Sequence, residues 1–61
     1  MNERDLWTCD AMEKYGGSFV QQLAHLARRA DPNNLQTIKS AWPEYWSEYE
    51  VMGKKLEEAA K

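Results

Sequence analysis

The chain has 61 residues, enough for one domain that buries only about 60% of the surface its unfolded form exposes. Ten acidic against eight basic residues give a formal charge of −2, which argues against the non-specific phosphate attraction of strongly basic nucleic-acid binders. A hydrophobic content of 43% excludes a disordered chain, and a lone cysteine excludes an internal disulfide.

One Cys and one His also fall short of a zinc-ligand set, so neither a metal nor another cofactor is expected. A core of this size rarely supplies more than roughly 3 to 5 kcal/mol, which leaves self-association or a partner to supplement it. The opening "MNERDLW" mixes charges, and no segment approaches the roughly 20 apolar residues of a membrane span. The expectation is a soluble, cytoplasmic protein that does not engage a membrane.

Three punctuation marks, Gly16-Gly17-Ser18, Asp31-Pro32-Asn33 and Trp42-Pro43, divide the chain into predicted helices at about 3–15, 18–30, 32–42 and 43–60. No stretch alternates strictly between apolar and polar residues, so the fold class is all-α, a small bundle of three to four helices within a single helical domain. On the first helix Trp7, Ala11 and Tyr15 share one side, with Met12 between and Leu6 and Cys9 further round, covering more than half the wheel. Such width means either a central helix or a second face buried against another chain. Leu6, Trp7, Cys9 and Met12 are therefore candidates for a homo-oligomer interface.

The Gly16-Gly17 pair predicts a left-handed helix end, with Ser18 capping the second helix. A phosphate-binding loop is a poor match there, since the required glycine spacing, the lysine and the preceding strand are missing. The second helix sets Phe19, Val20, Leu23, Ala24, Leu26, Ala27 and Ala30 on one arc and Gln21, Gln22, His25, Arg28 and Arg29 opposite. His25 thus reads as solvated and Cys9 as a buried small hydrophobe, which leaves no nucleophile and base in partnership. A non-enzyme is expected.

Asp31 followed by Pro32 predicts an N-cap with proline in the first helical position, and the third helix carries Leu35, Ile38, Ala41 and Trp42 on a thin apolar edge. Its exposed Gln36, Thr37 and Lys39, with Arg28 and Arg29 before the turn, suit a helix-turn-helix DNA-binding regulator. The glutamates that follow weigh against it.

Pro43 predicts a bend or break, although the apolar phase carries across it from Leu35 and Ile38. Beyond it Tyr45, Trp46, Tyr49, Met52, Gly53 and Leu56 share about a third of the wheel with Trp42, leaving Val51 as the exception. Three tryptophans and three tyrosines exceed what so small a core encloses. Trp42, Tyr45, Trp46 and Tyr49, with Glu44 and Glu48, are accordingly the candidate protein-binding face.

The pairing of "DLWTCDAMEKYGGSFV" (Asp5 to Val20) with "ADPNNLQTIKSAWPEYWSEY" (Ala30 to Tyr49) resembles a group of short proteins encoded in tailed phages and prophages. Tyr-Gly-Gly-Ser-Phe-Val and Pro-Glu-Tyr-Trp are its most distinctive parts. The resemblance implies a bacterial or phage cytoplasmic setting and carries over no catalytic or binding residue. The combined expectation is a phage-type accessory protein that binds a host or phage protein as a homo-oligomer, the DNA-binding regulator being the alternative.

Overall fold

A computed structural model describes residues 1–60 and consists of four helices: α1 (Glu3–Tyr15), α2 (Ser18–Arg29), α3 (Pro32–Ala41) and α4 (Pro43–Ala60). The all-α bundle expected from the sequence is what the chain forms, with a break at each proline. α2 and α3 each end one residue before their predicted limits. No helix is long and apolar enough to cross a membrane among the described residues.

The caps show why the helices stop where they do. Asn2 opens α1 by accepting the Asp5 N–H at 2.8 Å. Asp31 opens α3 by accepting the Asn34 N–H at 2.7 Å, with Pro32 behind it as predicted. Between α1 and α2 the expectation needs correcting. Gly16 and Gly17 have φ of −79° and −75°, so neither is left-handed, and the N-cap is Gly17, which lacks a side chain, rather than Ser18. Gly16 is required for its size: a Cβ there would lie 2.5 Å from the Met12 carbonyl oxygen and 2.6 Å from Val20 Cγ1.

α1 packs on both α2 and α4, with its more extensive contact on α4. Cys9 and Met12 of α1 are fully buried, surrounded by Val20, Leu23, Ala24 and Ala27 of α2, Leu35 and Ile38 of α3, and Trp46 of α4. Within the chain α1 is therefore the central helix. Of the four residues proposed for an interface between copies, Cys9 and Met12 are covered by the chain's own helices, Leu6 is exposed and Trp7 half-buried. The α1–α4 crossing is close enough that a Cβ on Gly53 would strike the Trp7 carbonyl group and lie 3.0 Å from the Thr8 nitrogen.

Candidate protein-binding face

The aromatic stripe of the last two helices divides in two at Pro43. Proline has no N–H to continue α3, so the helix closes on Trp42, whose N–H reaches the Ile38 carbonyl at 3.1 Å. The Trp42 carbonyl then accepts the Trp46 N–H at 3.1 Å and starts α4. One residue thus ends one helix and begins the next, with φ −130° and ψ 61° turning the axis between them.

Rotation of α4 about its axis is fixed by a buried polar contact. Asp5, on the first turn of α1, is almost wholly enclosed, and its Oδ1 accepts both Lys39 Nζ at 3.1 Å and the Trp46 indole N–H at 3.3 Å. Lys39 Nζ also lies 5.7 Å from the Trp46 ring centroid. The carboxylate therefore ties three helices together, and a buried charge persists only with such partners. With Trp46 held inward at 4% exposure, Tyr49, three residues on, packs against the core, while Tyr45 faces outward.

Trp46 is accordingly a core residue and not part of a binding surface, which corrects the sequence expectation. Tyr49 is half-buried beside it. Trp42 and Tyr45 each remain 37% exposed, and Glu44 and Glu48 are exposed beside them. They are joined by a residue that the wheel assigned to the core: Phe19, 55% exposed, whose ring centroid lies 5.8 Å from Trp42 in an edge-on arrangement and 6.2 Å from Tyr45. Leu26, two turns further along α2, is 57% exposed. Wheel phase alone does not separate Phe19 from Val20 or Leu23, because which side of a wide arc is covered depends on where α3 and α4 come to rest.

The residues proposed for DNA are differently placed. Gln36 and Thr37 are exposed on α3, with the Thr37 hydroxyl donating to the Asn33 carbonyl at 3.2 Å. Lys39 is taken up by Asp5. Arg28 donates to Asp10 at 2.6 Å and Glu13 at 2.7 Å, and the hydrogen bond to Glu13 is the first cause holding its pKa above the ordinary value. Arg29 is exposed and forms no ion pair among the described residues.

Burial pushes the Cys9 thiol up to about 11, so it is a poor nucleophile. His25 is exposed, its Nε2 3.0 Å from Glu13 Oε1. Among the described residues no three His, Cys, Asp or Glu side chains converge as metal ligands. Comparison of the chain with protein-family models, with curated proteins and with solved structures finds no match in any of the three.

Proposed function

We propose that this protein is a non-enzymatic binding module that docks another protein on the face formed by Phe19, Trp42 and Tyr45, with Leu26 extending it along α2. The observation that carries this reading is a cluster of three exposed aromatic rings in which Phe19 packs against both Trp42 and Tyr45. Taking about 200 Å² per side chain, these four residues leave on the order of 350 to 400 Å² of apolar surface to water. That is within the range of functional patches on monomers. Aromatic anchors of this kind dominate interface hot spots because they cover large area with few rotatable bonds.

The bacterial or phage cytoplasmic setting belongs to the same proposal and rests on the resemblance of Asp5–Val20 and Ala30–Tyr49 alone. The helix-turn-helix alternative is weakened by internal consumption of Arg28 and Lys39, two of its three cations. Self-association through α1 loses its main support with Cys9 and Met12 buried.

The test is affinity capture from a bacterial lysate with wild type and a Phe19→Ser/Trp42→Ser variant of matched helicity. A protein retained by the first and lost from the second supports the reading. Equal retention by both would send the binding surface elsewhere.

A further inference from the structure

The charge around the Phe19, Trp42 and Tyr45 rings is one-sided. Residues 15–24, which bring Phe19 to the face, carry no charged side chain, and residues 40–53 carry Glu44, Glu48 and Glu50 without a Lys or Arg. On the α3–α4 side the nearest cation in sequence, Lys39, is directed to Asp5, whereas at the Leu26 end of the face Arg29 lines a cleft with Leu26. Glu50 faces Arg4 at 3.7 Å, whereas Glu44 and Glu48 form no ion pair among the described residues. Four residues apart on α4, those two share a face, and Tyr45 stands beside both.

The junction of α3 and α4 forms an open cleft of about 350 Å³ lined by Ala41, Trp42, Pro43, Glu44 and Tyr45, with Glu48 one turn further along α4. An electron-rich ring face beside an unpaired carboxylate attracts a guanidinium or ammonium group, and the long aliphatic stem of Arg or Lys covers apolar surface while its head reaches the carboxylate.

Resting on the reading above, we infer that the partner segment is basic and amphipathic: an apolar side chain covers Phe19, and an arginine or lysine enters the Trp42–Tyr45 cleft against Glu44, with Glu48 one turn away. A second copy of this chain fits less well. A two-fold contact would bring Glu44 and Glu48 of both copies together. Nucleic acid is disfavoured by the same carboxylates.

The experiment is selection of yeast-displayed random dodecapeptides on the intact protein, followed by binding of the enriched peptides to two variants. Glu44→Lys/Glu48→Lys tests charge at exposed positions; Trp42→Ala/Tyr45→Ala tests the rings, and circular dichroism verifies that each folds. The expected result is a pool of net positive charge that loses about tenfold or more in affinity for the first variant, weakens with salt, and fails on the second. Neutral or acidic peptides that still require Trp42 and Tyr45 would overturn the basic partner and leave the docking face intact. A pool indifferent to Trp42 and Tyr45 would overturn both. Concentration-dependent self-association abolished by Trp42→Ala/Tyr45→Ala would replace the basic segment with a second copy.

Discussion

Substituting Gly53 by alanine perturbs the contact on which the bundle most depends. The new methyl would lie 2.5 Å from the Trp7 carbonyl carbon and 3.0 Å from the Thr8 nitrogen, against ordinary carbon contacts of about 3.5 to 4 Å. Both obstructing groups are backbone of α1, so no side-chain rotation relieves the overlap. The helices must instead separate by roughly 1 Å, a shift that forfeits a quarter to a half of the dispersion energy of the contacts it opens. Overpacking of this kind costs about 1 to 3 kcal/mol, and a backbone obstruction places it near the upper figure. Alanine recovers about 1 kcal/mol through its better helix propensity. The net loss is therefore about 2 kcal/mol, a large share of the roughly 3 to 5 kcal/mol available to a domain of this size. Thermal unfolding followed by far-ultraviolet circular dichroism should show Tm lower by about 8 to 16 °C.

The companion experiment is Gly17→Ser. A Cβ at Gly17 meets nothing within 4 Å, and this N-cap has no side-chain hydrogen bond. Serine supplies the missing acceptor, so Tm should rise with a gain of a few tenths to about 1 kcal/mol. An alanine at position 53 that matched or exceeded the wild type would refute the close crossing.

Three other outcomes follow from the packing. Asp5→Ala leaves Lys39 Nζ and the Trp46 indole N–H without their acceptor, so urea titration should show a loss of about 2 kcal/mol or more; an unchanged midpoint would mean that the carboxylate does not tie the helices. The hydrogen bond from Arg28 holds the Glu13 carboxyl below its ordinary 4.5, so its stabilising contribution is complete above that pH and is lost as pH falls below it through the folded value. Urea midpoints measured across this range should decline less in Glu13→Gln than in wild type. Cys9, buried with its thiol raised to about 11, should react with iodoacetamide far more slowly in the native protein than in urea, and equal rates would contradict its place in the core.

The helix boundaries were legible because they are written in local chemistry: Asp31 with Pro32, and Pro43 after Trp42, act within a few residues of themselves. The glycines were legible as a boundary but not in their purpose, since the approach of Val20 and the Met12 carbonyl to Gly16 depends on how the next helix folds back. Gly53 is the same case at greater distance; periodicity placed it on the apolar stripe but gave no sign that α1 backbone would rest on it. Asp5 was missed entirely. A carboxylate in the first turn of a helix is ordinarily solvated, and its partners Lys39 and Trp46 lie 34 and 41 positions away.

The candidate face shows the same division. Trp42 and Tyr45 were legible as surplus aromatic area, while the turn that buries Trp46 and uncovers Phe19 arises from the break at Pro43 together with the Asp5 contact. Four aromatics in phase on a wheel do not reveal which of them the third dimension will cover.

Solvent accessibility of the three tryptophans tests the division of the stripe most directly. The indole N–H signals of Trp7, Trp42 and Trp46, assigned by substitution, would be followed in nitrogen-proton correlation spectra with a soluble paramagnetic agent. The expected result is strong broadening of Trp42, protection of Trp46 and an intermediate Trp7, at every protein concentration. A Trp42 signal as protected as that of Trp46 would contradict an open aromatic face, and a Trp46 signal as broadened as that of Trp42 would contradict the core that positions it.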